Sequence, residues 1–113
     1  MTRYQIDAYC DAITRDITNS YARSQRRRYA NRFIYNFLSA YKSITGKDYA
    51  GEVELADLSD AIRAISGGGV QDELSTIGAP LAYMRQRSDK SAATFADYSS
   101  WIRDYAVRQS ITH

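Results

Sequence analysis

Between residues 4 and 21, Ile6, Tyr9, Cys10, Ile13, Ile17 and Tyr21 recur at steps of three and four, while Asp7, Asp11 and Arg15 fall on the opposite side. This is one apolar stripe at the helical period. Asp11 stands four residues before Arg15, a favourable pairing on a helix surface. A polar stretch, Thr18-Asn19-Ser20, interrupts the stripe. It resumes as Tyr29, Ala30, Phe33, Ile34, Phe37, Ala40, Tyr41 and Ile44, and stops at Gly46, a residue type suited to the position just past a helix. The pattern predicts two helices, 3–20 and 23–45, or one long helix bent near Asn19-Ser20.

Asp48-Tyr49-Ala50-Gly51 reads as a loop. Residues 52–66 then carry Leu55, Leu58, Ile62 and Ile65 on one face, with Glu52, Glu54, Asp57 and Asp60 making the helix acidic. Carboxylates early in a helix suit the positive end of its dipole. Gly67-Gly68-Gly69 ends it. Val70, Leu74 and Ile77 suggest a short helix that stops before Gly78-Ala79-Pro80, and Leu81 to Arg87 another turn or two. Ser88-Asp89-Lys90-Ser91 reads as a mobile surface loop. Thr94 with Asp97 three residues later resembles a capping box and opens a final helix, with Phe95, Tyr98, Trp101, Ile102 and Tyr105 inward. No stretch alternates with the period of a strand over more than about four residues. The expectation is an all-α, single-domain helical bundle of four to five main helices spanning 1–113, with Phe33, Phe37, Leu58, Ile62, Trp101 and Tyr105 in one core.

Charge adds an asymmetry to this picture. The net charge is only +2, but residues 1–47 hold nine Lys/Arg against three Asp, and residues 48–113 hold six against ten Asp/Glu. The chain thus has a basic helical half at +6 and an acidic half at −4. Such a split suits a basic face for a polyanion, attraction between the halves on folding, or head-to-tail association of copies. No apolar run reaches the roughly 18 residues of a membrane span, and Met1-Thr2-Arg3-Tyr4 opens no signal peptide, so the expected setting is cytoplasmic. Accessory and virion proteins of bacteriophages often have this size and build, which makes the virion an alternative setting.

Enzyme chemistry has little material here. The single histidine is His113, and the single cysteine, Cys10, has no histidine to activate it and lies on an apolar stripe. One of each cannot close a zinc site. The carboxylates at 52–60 lack the ligand spacing of a calcium loop. Gly46-Lys47 lacks the Ser/Thr and the upstream glycine of a phosphate-binding loop, and Asp72 and Glu73 would repel an anion at the helix after the triple glycine. The expectation is a non-enzymatic protein without metal or small-molecule cofactor.

The most distinctive local feature is Arg23, Arg26, Arg27, Arg28 and Arg32, bracketed by Tyr21, Tyr29 and Tyr35. At 100° per residue, Arg28, Arg32, Tyr35 and Lys42 fall opposite Phe33 and Phe37. Arg23 and Arg27 sit on the shoulder of the apolar stripe. Arg26 falls in line with it and is expected to meet an acidic partner such as the 52–60 helix. Outward guanidinium groups are forked, permanently charged donors for phosphates or carboxylates. Ten tyrosines are about three times ordinary usage, and tyrosine favours interfaces and core edges. Tyr9, Tyr29, Tyr41, Tyr98 and Tyr105 lie on inward stripes; Tyr4, Tyr35, Tyr49 and Tyr83 do not, and are candidates for a partner surface.

Tyr29-Ala30-Asn31-Arg32-Phe33-Ile34-Tyr35-Asn36-Phe37-Leu38, then Glu54-Leu55-Ala56-Asp57-Leu58, then Ser91-Ala92-Ala93-Thr94-Phe95, is similar to the helical core-binding domain of tyrosine recombinases, whose helices grip DNA. The resemblance covers under half the chain. Gly67–Lys90 departs from it as an insertion, and the His and Arg set of that family's catalytic domain is missing, so it is set aside as an assignment and only adds weight to DNA binding. Two readings follow. The first is a small interaction protein (adaptor, inhibitor or assembly subunit, phage- or mobile-element-encoded in one version) that binds another protein or copies of itself through a Tyr/Arg-rich surface. The second is a DNA- or RNA-binding protein contacting phosphates through the Arg23–Arg32 helix. The candidate binding residues for both are Arg23, Arg27, Arg28, Arg32, Tyr35 and Lys42.

Overall fold

The computed structural model describes residues 1–67 and 76–112, and these form an all-α bundle without strands. Five α-helices occur among them: α1 (Arg3–Thr14), α2 (Ser20–Thr45), α3 (Leu55–Gly67), α4 (Gly78–Arg85) and α5 (Phe95–Thr112), with a single 3₁₀ turn at Lys90–Ala92. α1 packs along α2, α3 along α5, and α4 sits against α2, giving a slab of 42 × 38 × 20 Å. The short helix expected over Val70–Ile77 lies almost wholly outside the described residues.

The stretch from 3 to 45 is two helices. α1 ends at Thr14, six residues short of the expected boundary, and Asn19 starts α2 by accepting a hydrogen bond from the Ala22 amide at 2.9 Å. An asparagine cap of this kind supplies a partner for an N–H that the helix itself leaves open. The break resets the helical phase, so Tyr21 does not continue the stripe of α1 and is 74% exposed. At the other end Gly46 takes φ +74° and returns its N–H to the Lys42 carbonyl at 2.8 Å, as the sequence predicts. α1 has its own capping box, in which Thr2 and Gln5 each satisfy the other's backbone amide.

Two further expectations are corrected. α4 begins at Gly78 and runs through Pro80. Pro80 is in the first turn, where a missing N–H removes no helical bond, so the proline suits the start of this helix. The 88–91 segment is anchored: Asp89 accepts from the Ser91 amide and hydroxyl, and Tyr41 Oη donates to the Ser91 carbonyl at 2.9 Å. Those Ser91 hydrogen bonds also hold the Asp89 carboxyl below its ordinary range.

The core is aromatic. Phe33 and Phe37, one turn apart on α2, both stack on Tyr98 (5.1 and 5.4 Å between centroids) and both meet Phe95 edge-on at 5.5 Å. Such ring pairs add to the energy of burial itself. Leu58 and Ile62 of α3 close the core from the opposite side, while Trp101 and Tyr105 pack at its margin half-buried. Leu55 was expected inward and is exposed, lining with Tyr4, Ala8, Tyr9 and Ala12 a shallow apolar groove of about 320 Å³. Thr94 caps α5 as expected, its hydroxyl accepting from the Asp97 amide at 3.1 Å.

Tyr49 and Tyr83, assigned to a partner surface by the sequence pattern, are buried at 8% and 4% exposure. Tyr49 fastens the loop before α3 to the start of α5. Its hydroxyl donates to the Glu52 carbonyl at 2.9 Å and accepts from the Phe95 amide at 3.1 Å. Its ring meets Phe37 and Tyr41 edge-on. Gly51 makes this possible, because a Cβ there would collide with the end of the Tyr49 ring. Tyr83 lies between Tyr98 and Trp101 and receives a hydrogen bond from Arg87.

Candidate interaction surface

α2 carries all six candidate binding residues, and the structure divides them. Arg23 folds back over the α1–α2 break and donates from Nε to the Ile17 carbonyl at 2.8 Å, with Nη2 on the same oxygen. Arg27 pairs with Asp11 of α1. Arg27 therefore ties α1 to α2, and Arg23 ties α2 to the break between them. Arg26 is half-buried, and among the described residues no ion pair joins it to residues 52–60. The salt bridge of this region belongs to its neighbour, because the α1–α2 crossing brings Asp11 to the shoulder of the stripe and not to its centre.

Arg28, Arg32, Tyr35, Ser39 and Lys42 form the outward line of α2 at steps of four, three, four and three, and all are exposed. Arg28 and Arg32 lie one turn apart, and among the described residues neither has an ion pair or side-chain hydrogen bond. Tyr35 is 38% exposed. Lys42 reaches Asp48 at 3.3 Å, both groups largely in solvent. A pair so exposed is worth at most about 1 kcal/mol and leaves the ammonium available.

The C-terminal part of this line borders a groove of about 300 Å³ lined by Met1, Tyr35, Leu38, Ser39, Lys42, Asp48 and Tyr49. It adjoins a recess of about 470 Å³ whose lining includes Tyr9, Tyr49, Glu52 and Glu54 and shares Met1 and Tyr49 with the groove. Basic and acidic surfaces thus meet near Tyr49. The ion pairs seen among the described residues lie mostly within one half or the other. Asp11–Arg27 lies within the basic half, Asp60–Arg103 and Arg87–Asp97 within the acidic half, and Lys42–Asp48 at the junction.

Cys10 is fully buried, and desolvation raises its thiol pKa, partly countered by Arg27. A thiol held protonated in this way is a poor nucleophile. Among the described residues no group of three or more His, Cys, Asp and Glu side chains is placed to hold a metal ion, and no helix is long and apolar enough to cross a membrane. Comparison with protein-family models, curated proteins and solved structures returned no match.

Sequence reasoning missed the roles of Arg23, Arg27 and Tyr49. Their partners lie across a helix break or about fifty residues away, so neither helical phase nor spacing reveals them. The Thr2–Gln5 capping box was readable from its Thr-x-x-Gln spacing.

Proposed function

We propose that this chain is a small non-enzymatic interaction protein, an adaptor, inhibitor or assembly subunit, that binds a protein partner through the outward line of α2. Arg28 and Arg32 carry the reading: exposed, one turn apart and, among the described residues, without an ion pair or side-chain hydrogen bond, while Arg23 and Arg27 beside them are spent on the fold. Arginine and tyrosine are the residue types that most often dominate binding energy at protein interfaces. A net charge of +2 argues against a dedicated polyanion binder, which ordinarily carries a larger surplus.

The double substitution Arg28→Ala/Arg32→Ala tests this. It should leave thermal stability almost unchanged and abolish one specific protein complex recovered from source-cell extract, with retention on heparin scarcely altered. A different outcome would replace this reading with nucleic-acid binding. In that case affinity for single- or double-stranded DNA or RNA falls regardless of sequence, and the slope of log affinity against log salt drops by about one unit for each lost phosphate contact. A double variant that unfolds would make these arginines structural and remove both readings.

A further inference from the structure

The outward line of α2 is uniform in sign and uneven in spacing. At the helical rise, Arg32, Tyr35, Ser39 and Lys42 stand about 6, 10.5, 16.5 and 21 Å beyond Arg28. The exposed charges of the line, Arg28, Arg32 and Lys42, are all cations. Asp48 meets Lys42, and Asp11 is engaged by Arg27. Between Arg32 and Lys42 runs about 15 Å of helix, and residues 33–41 include no charged side chain. There Tyr35 and Ser39 border the groove of about 300 Å³ that Met1 and Leu38 also line.

We infer that the occupant of this surface is an amphipathic helix of another protein, lying along α2, with carboxylates four residues apart on Arg28 and Arg32 and apolar side chains over Tyr35 and the groove beside it. The inference rests on the reading of the α2 line as the binding surface and states the chemistry of what binds there. Sign argues against a second copy docked two-fold through this line. Such a contact presents the same patch from both sides, and an axis near Tyr35 sets Arg28 against the other copy's Lys42. Spacing argues against a nucleic acid, because a strand carries a charge for about every 3.4 Å of axis, whereas residues 33–41 offer it no cation. Periodicity selects a helix. A helix laid alongside repeats the rise of α2, so its positions i, i+4, i+7 and i+11 keep step with Arg28, Arg32, Tyr35 and Ser39 on a single face. An extended segment, at about 3.3 Å per residue, reaches Arg28 and Arg32 with residues i and i+2 but meets Tyr35 with i+3, whose side chain points the other way. The carboxylate–guanidinium pairs set register and orientation, and the apolar groups supply the buried area.

Fluorescence anisotropy with two labelled synthetic peptides tests this. Each has an Ala/Gln background of about 20 residues, long enough to be helical in water. One carries glutamates at i and i+4 and leucines at i+7 and i+11; the other carries the same pattern reversed along the chain, since a helix can lie on α2 in either direction. One of the two should bind the wild-type protein, and more weakly as salt rises. Arg28→Ala/Arg32→Ala should weaken that binding by at least about tenfold. Alanines in place of the two leucines should weaken it by a similar factor. Arg28→Glu/Arg32→Glu should abolish it, and a peptide with arginines in place of the glutamates should then bind this variant. Circular dichroism checks that each variant is folded. If the reversed variant is not, Arg28→Gln/Arg32→Gln replaces it, and the same tenfold loss is required.

Failure of both peptides to bind, binding that ignores either the arginines or the leucines, or a charge reversal that the arginine peptide does not rescue overturns the proposal. If neither peptide binds while Arg28→Ala/Arg32→Ala still abolishes a specific protein complex, the acidic helix is refuted and the α2 line remains the binding surface. A wild-type chain that self-associates in sedimentation velocity, and loses that association in the double variant, makes the occupant a copy of this chain and likewise refutes only the acidic helix. Tighter binding of an oligonucleotide than of either peptide, lost in the double variant, refutes both the helix and the protein-partner reading.

Discussion

The two halves of α2 are parts of one uninterrupted helix with different duties. From Ala30 to Tyr41 its inner face is buried among rings of α5 and the Tyr49 loop. From Ser20 to Arg28 it is held by polar ties, the Arg27–Asp11 pair to α1 and the Arg23 fork on Ile17 in the break, and its side chains are exposed or half-exposed. Ring packing is dense and intolerant of change, whereas exposed ion pairs contribute little and are easily altered. The C-terminal half therefore secures the fold with its inner face while its outer face leaves Arg32, Tyr35 and Lys42 exposed, and the N-terminal half is held by polar ties that leave Arg28 exposed.

Substitutions should reproduce that contrast in size. Phe37→Ala removes a ring with four aromatic neighbours, Tyr41 in its own helix and Tyr49, Phe95 and Tyr98 across the core, and is expected to cost about 3–5 kcal/mol by chemical denaturation. A loss below about 1 kcal/mol would move Phe37 out of the core and with it the assigned helix phase.

Alkaline pH probes the same region without a mutation. Burial raises the hydroxyl pKa values of Tyr98, Tyr49 and Tyr83 above the ordinary tyrosine value, most strongly for Tyr98. Above about pH 10 the unfolded chain gives up these protons and the folded chain keeps them. Stability should thus be flat on this account below about pH 9, then fall by up to about 1.4 kcal/mol per pH unit for each tyrosine still protonated. Denaturation midpoints measured from pH 8 to 11.5, a range on the order of the tyrosine titration, would show the decline; a flat profile would place these hydroxyls in water.

Tyr49→Phe keeps the ring and deletes the hydroxyl that serves Glu52 and Phe95. It leaves the Phe95 amide without its partner and should cost about 1–3 kcal/mol. Arg27→Ala, in the loosely tied half, should cost less than about 1 kcal/mol because its pair with Asp11 is well exposed. The smallest effect belongs to Arg28→Ala/Arg32→Ala, within about ±0.5 kcal/mol for each site in thermal denaturation. A double variant as damaging as Arg27→Ala or worse would erase the distinction between a structural and a free set of arginines.

Periodicity was enough for the class, for α2 with its Gly46 terminus, and for the inward placement of Phe33, Phe37, Leu58, Ile62 and Tyr98. It failed where phase is not continuous or where burial is decided by distant chain. Tyr21 looked inward only because the break at 15–19 was bridged on paper. Tyr49 and Tyr83 sit off every stripe, yet α5 arrives to cover them. The outward set Arg28, Arg32, Tyr35 and Lys42 follows from helical phase within α2 alone, and that is why it was legible. The division of Arg23 and Arg27 from it was not, since it depends on where α1 crosses. Ser99 belongs with the unreadable features: it is buried on α5 with no hydrogen-bond partner for its hydroxyl among the described residues, and sequence shows only a serine in a helix.

The ring contacts between α2 and α5 also bear on the order of events as the chain is made. Phe33 and Phe37 find Phe95 and Tyr98 about sixty residues later in sequence, so the central stack cannot form by local collapse and must wait for a long loop to close. Until α5 has been synthesised, the nascent first half displays Phe33, Ile34 and Phe37 uncovered beside an arginine line that is already complete. The basic and acidic halves are therefore not separable folding units. A ribosome releasing the first fifty residues exposes a charged, sticky helix whose safe partner is its own unfinished C-terminus.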